Sequence, residues 1–142
     1  MEPAILGIVL DSSIIIEAER KHQTVEELHE SIQQRFGEIE ITMSAVTLAE
    51  LVHGVARANT EQRRARRRAF IDELKQDVPV HPVTDATAEL AGTIGGEQAA
   101  KGITIPIDDL LIGTSAIEQG YAVATRNVRH FKSIPGLTVL EL

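Results

Sequence analysis

The chain has 142 residues, no cysteine and a formal net charge of −7, a length that suits one domain (expected span 1–142) with an ordinary core. The missing thiols exclude disulfides, thiolate zinc sites and cysteine nucleophiles, and the acidic balance argues against a generic nucleic-acid binder. No apolar run approaches the roughly 20 residues of a membrane span and no secretion signal opens the sequence, so a cytoplasmic protein with no membrane partner is expected.

Ile5–Ser13 reads ILGIVLDSS. Its unbroken apolar side chains predict a strand buried on both faces, as in the middle of a parallel sheet. It stops at Asp11, before Ser12 and Ser13, which are suited to cap a helix running to Arg20. An acid where a central strand hands over to a helix lies at the carboxyl edge of the sheet, where open α/β folds bind ligands. The plainer reading of Asp11 is a helix cap.

Thr24-Val-Glu-Glu27 is a capping-box pattern, and Leu28, Ile32 and Phe36 recur at helical spacing up to Gly37. Residues 39–43 alternate as a short strand. Ser44 can cap a helix over residues 45–58, which carries Glu50 among Leu48, Ala49, Leu51 and Val52. Thr60 can cap a fourth helix to about Gln76. Residues 78–83 contain Pro79 and Pro82 and predict a short strand with restricted pairing. Thr84 or Asp85 opens a helix to Lys101, with Gly95-Gly96 as a weak or closely packed spot. A further helix over residues 107–119 closes at Gly120. A compact strand (121–125), a helical turn (127–132) and a last strand (137–140) follow. Strands alternating with helices predict an α/β fold: a central, mainly parallel sheet flanked by helices.

The acids offer the chemistry. Asp11, Glu50 and the pair Asp108-Asp109 could converge at one edge. Crowded carboxylates are relieved either by a raised pKa or by a divalent cation, and oxygen-only ligands suit Mg²⁺ or Mn²⁺. Such a cation supports phosphodiester hydrolysis. Glu50 could instead be solvated at the edge of its stripe, and Asp108 could simply favour a helix N-terminus. The five histidines show no close ligand spacing and read as ordinary surface or core residues. Residues 113–117 fail as a GxSxG elbow, and residues 95–102 fail as a phosphate loop.

Six of the fourteen cationic side chains fall between Arg57 and Arg68. A solvated helix face is the plain reading. The alternative is that Arg64, Arg67 and Arg68 meet RNA phosphates or an acidic partner segment.

VLDSSIII (Val9–Ile16), SAVTLAELVHG (Ser44–Gly54), GITIPIDDLLIGTSAIEQG (Gly102–Gly120) and ATRNVRHF (Ala124–Phe131) resemble, in order and spacing, the blocks of the PIN-domain family, and most closely its VapC-type ribonuclease toxins. The resemblance covers essentially the whole chain. It implies a PIN-like fold and a Mg²⁺- or Mn²⁺-dependent endoribonuclease, partnered by RNA, a small VapB-like antitoxin and a second copy in a homodimer. It matches the family's three acids to Asp11, Glu50 and Asp109, and so chooses Asp109 over Asp108. Asp11 and Asp109 would hold the metal, and Ser12, Thr125 and Arg126 would support it. The family's fourth acid falls in the last block, where this chain has Asn127 and His130, and Asn127 would position water or phosphate. Asp109 shares a helix face with Gly113 and Ala116, small residues expected to admit close approach to the first strand. Two other readings stay open: a PIN fold that binds RNA or protein with little or no cleavage, and a receiver-like phospho-acceptor domain.

Overall fold

The computed structural model describes residues 5–142. Five strands and seven helices follow one another as β1 (Gly7–Leu10), α1 (Ser12–Arg20), α2 (Val25–Phe36), β2 (Glu40–Ser44), α3 (Ala45–Ala56), α4 (Glu61–Asp77), β3 (Val80–His81), α5 (Asp85–Ala100), α6 (Ile107–Gln119), β4 (Ala122–Thr125), α7 (Val128–Phe131) and β5 (Val139–Glu141). The strands form one sheet in the order β3-β2-β1-β4-β5, and every pairing is parallel.

β1 lies at the centre, with Val9 opposite Thr42 of β2 and Val123 of β4. Its side chains divide between two cores. Ile8 and Leu10 point to one face, with Ile14, Ile15 and Ala18 of α1, Leu28 and Ile32 of α2, and Ile71 and Leu74 of α4. Val9 points to the other, with Ile112 and Ala116 of α6, Val123 and Phe131. Burial on both faces is what an unbroken apolar strand requires, because every successive side chain leaves water. The prolines confine β3 to two paired residues, Val80 and His81, at the sheet edge.

Local chemistry sets the helix starts. Thr24 and Glu27 exchange side-chain and backbone hydrogen bonds, both at 3.0 Å. Ser44, Thr60 and Thr84 accept from Val46, Arg63 and Thr87 N–H groups, so each satisfies an orphan donor of its helix. Gly120 ends α6 at φ 72°, the left-handed turn that glycine adopts at least cost. The first helix departs from expectation. It starts at Ser12, with Asp11 in the capping position, and the Asp11 side chain caps nothing.

Two packing expectations divide. A Cβ on Gly95 would lie 2.7 Å from a Leu110 methyl, so the α5–α6 contact is close there, whereas Gly96 faces open space. At Gly113 the nearest neighbours belong to the segment after α7 rather than to β1. A Cβ there would strike Ile134, at 2.6 Å, and Leu137, so its smallness serves the segment after α7. Ala116 does pack in the core that contains Val9.

The receiver-like reading fails on this topology. β2, β3 and β4 end on Ser44, His81 and Thr125, so no strand after the first ends on an acceptor aspartate.

The arginines of α4 have separate internal acceptors. Arg67 Nη1 donates to the Gly54 carbonyl at 2.9 Å and Arg64 Nη1 to the Ala58 carbonyl at 2.6 Å. Arg63 reaches Asn59 Oδ1, Arg66 pairs with Glu19, and Arg68 pairs with Asp72. Gly54 lies in the last turn of α3, whose carbonyls have no helical partner and carry the negative end of the dipole. Arg64 and Arg67 therefore tie the end of α3, and the loop after it, to α4. Replacing the charged donor by Arg67→Gln should cost about 1 kcal/mol, read as a lower urea midpoint. An unchanged midpoint would return Arg67 to the solvated face.

Candidate active site

β1 delivers Asp11 to the carboxyl edge of the sheet. The backbone N–H of Asp11 still pairs with the Ala124 carbonyl of β4, at 3.0 Å, which brings the end of β4 alongside. Asp11 is buried, and its Oδ2 accepts from Ser13 Oγ at 2.7 Å and from Thr125 Oγ1 at 2.9 Å. Below it, the buried Thr47 of α3 donates to the Leu10 carbonyl at 3.4 Å, and Ser115 of α6 reaches Ser44 at 3.4 Å. These hydroxyls join the carboxyl ends of β1 and β2 to the helices that carry the other acids.

Glu50 projects from the middle of α3. Its Oε1 is sealed from solvent and has no hydrogen-bond donor. Burial is the main influence raising its pKa. The negative charges of Asp11, Asp108 and Asp109 raise it further, and the Ser12 hydroxyl opposes them. Asp109, in the first turn of α6, is also raised, chiefly by burial and then by Asp11 and Asp108. The His130 imidazole, 3.4 Å away, works against that rise. Four carboxylates from three stretches of chain thus feel one another's charge. Among them Asp108 is exposed, while Asp109 has only 14% of its side chain in solvent.

The structure places Ser12 beside Glu50 and Thr125 on Asp11. Arg126 divides: its backbone N–H donates to Ser13 Oγ at 3.0 Å, whereas its side chain turns away to Glu17 and the Leu142 carbonyl. Asn127 is exposed at the head of α7. It is tied in by its backbone N–H, 2.8 Å from Thr125 Oγ1, and its side chain caps nothing. Arg64, Arg67 and Arg68 are held on α4 as described; Arg67 also lines a groove of about 450 Å³ that Glu50 borders. Its floor includes Ile15, Leu51, Phe70 and Ile71, and Arg20, Arg63 and Arg66 also contribute to its walls.

Sequence reasoning passed over Ser13 and His130. For Ser13 the available signal was the pair of hydroxyls after the acid, which read as helix caps. For His130 it was the position itself, where the family's fourth acid would stand.

The donor set fits a divalent cation. It is all oxygen, it carries uncompensated negative charge, and it holds an orphaned buried carboxylate oxygen. Among the described residues no three histidine, aspartate or glutamate side chains close into a ready-made ligand cage. Mg²⁺ keeps several waters and takes one or two carboxylates directly, so it does not require such a cage.

A family model for the PIN domain matches residues 8–137. Ribonuclease VapC1 of Rickettsia felis is 36% identical over 138 residues, covering 96% of this chain and 97% of that protein. The tRNA(fMet)-specific endonuclease VapC of Salmonella typhimurium is 30% identical over 118 residues, covering 82% and 87%. Among solved structures, VapBC2 of Rickettsia felis bound to a promoter DNA fragment aligns with a TM-score of 0.82. Its identity is 24%, with coverage of 96% of this chain and 98% of that one, and it shows the shared fold.

The raised Glu50 has a consequence for stability. Its folded pKa lies above its unfolded value, so between the two the folded state binds more protons and stability rises as pH falls. Above the folded value the penalty is complete. Without added metal at neutral pH, Glu50→Gln should therefore melt higher than the parent protein, with the difference shrinking as the pH falls through the carboxylate range. Melting curves that coincide at both pH values would place Glu50 in ordinary solvent.

Proposed function

The chain belongs to the PIN-domain family, and from that premise we propose that it is a metal-dependent endoribonuclease, the toxin of a toxin–antitoxin pair. The observation that carries this reading is the crowding of Asp11, Glu50 and Asp109 at one sheet edge, with two of the three held above the usual carboxylate range. The VapC names of the relatives support RNA as the substrate, and the VapBC titles of the structural neighbours support a VapB-like antitoxin as partner.

In this reading Asp11 and Asp109 hold Mg²⁺ or Mn²⁺. Bound there, the cation would polarise the phosphate as a Lewis acid and would lower the pKa of a water molecule. Glu50 orients the attacking water and takes up its proton. The Asn127 amide donates to the phosphate or to water from the head of α7. Attack by water, rather than by the ribose hydroxyl, leaves a 5′-phosphate and a 3′-hydroxyl. The groove bordered by Glu50 offers an apolar floor and cationic walls to RNA or to an antitoxin segment. In Arg64 and Arg67, holding α3 and meeting such a partner are compatible, because each guanidinium has five donors. A homodimer working in the cytoplasm completes the reading.

One observation favours the second reading, a PIN fold that binds with little cleavage. His130 places an imidazole, not a further carboxylate, against Asp109.

Asp11→Asn and Asp109→Asn each remove an anionic ligand oxygen. Both should abolish Mn²⁺ binding by calorimetry and slow RNA cleavage roughly hundredfold to ten-thousandfold. Asp108→Asn, at an exposed position, should be far milder. Unchanged metal binding in the first two variants would refute the assignment, and a severe Asp108→Asn would shift it by one residue.

A further inference from the structure

Two hydroxyls hold one oxygen of Asp11, and the backbone dictates which way they point. Arg126 N–H donates to Ser13 Oγ at 3.0 Å, and Asn127 N–H donates to Thr125 Oγ1 at 2.8 Å. A backbone N–H cannot accept. Each hydroxyl therefore spends a lone pair on the turn between β4 and α7, and the Asp11 carboxylate, which can only accept, draws its single proton to Oδ2. The 3.3 Å approach of Ser13 Oγ to Thr125 Oγ1 is then two donors drawn to a shared acceptor.

Ser13 stands apart from the other members of this cluster. Thr125, Arg126 and Asn127 are consecutive, whereas Ser13 sits in the first turn of α1, two residues beyond Asp11. An aspartate in the capping position ordinarily swings its carboxylate onto the N–H groups of its own helix. Here it does not. Capping would compete with a role in the site, and the Ser13 hydroxyl, at 2.7 Å the shorter of the two contacts, holds Oδ2 toward β4 instead.

Resting on the metal reading above, we propose that Ser13 is a positioning residue for Asp11. Its hydroxyl, aimed by the Arg126 N–H, fixes the carboxylate rotamer so that Oδ1 is the oxygen offered to the divalent cation. Ser13 makes that contact without touching the cation or the RNA itself.

Titration with Mn²⁺ in the absence of RNA, followed by calorimetry, tests this, with thermal melts to confirm folding. Ser13→Ala should weaken Mn²⁺ binding roughly tenfold to hundredfold, the range for a group that orients a metal ligand. Ser13→Thr, which keeps the hydroxyl, should restore binding to within about threefold. Ser13→Cys has nearly the same volume with a weak donor. It should behave as the alanine variant and serves in its place should alanine fail to fold. Mn²⁺ binding by Ser13→Ala or Ser13→Cys at the parent affinity, with Asp11→Asn binding none, would overturn the role of Ser13 and leave the metal site standing. An equal loss in Ser13→Thr and Ser13→Ala would also overturn it, since the hydroxyl would then not matter. Parent affinity in Asp11→Asn itself would refute the metal reading and take this proposal with it.

Discussion

Negative charge is crowded at the carboxyl edge of this sheet against the preference of Glu50 and Asp109. Glu50 and Asp109 are both partly withdrawn from water and both within the field of Asp11 and Asp108. Among the described residues, the side chain paired with an acid of this cluster is the His130 imidazole, 3.4 Å from Asp109 and itself more than half exposed. A chain under selection for stability alone has simple ways out, such as an amide or an apolar residue at position 50. Keeping the acids costs folding free energy at neutral pH, and a divalent cation would relieve their repulsion.

The rest of the fold serves to hold those acids in place. β1 lies at the sheet centre between cores on both faces, so Asp11 emerges from a strand that is buried on both sides. α3 carries Glu50, and its far end is tied to α4 through Gly54 and Ala58 by Arg67 and Arg64. α6 carries Asp109, and Ala116, with no exposed surface, seats it in the core beneath the sheet. Hydroxyls at the strand ends (Ser44, Thr47, Ser115, Thr125) satisfy local polar groups without adding charge. Close to an acidic cluster that restraint matters, because a further carboxylate would deepen the repulsion and a lysine would neutralise the site.

Much of this was legible from the chain because it was local. Thr24, Ser44, Thr60 and Thr84 reveal helix starts through hydrogen bonds that span two or three residues. The apolar run before Asp11 reveals a strand buried on both faces. What was hidden depended on distant partners. The acceptors of Arg64 and Arg67 lie 6 and 13 residues away, on another element. Ser13 and Thr125 are 112 residues apart and meet only because β1 and β4 are neighbours. Gly113 looks, from its helix face, like a partner for the first strand, and only the return of the chain after α7 shows Ile134 there instead. The contact of Ser13 with Asp11 was hidden for the same reason. Both hydroxyls follow the acid, and only the turn after β4 selects between them.

Anomalous diffraction from crystals grown with Mn²⁺ and without RNA is the most direct test of the claim that this edge is a cation site. The account predicts a manganese peak bound by Asp11 and Asp109, with Oδ1 as the Asp11 ligand and Oδ2 still held by Ser13 and Thr125. A fully loaded crystal with no peak between Asp11 and Asp109, or with manganese held by Asp108 alone, would contradict it.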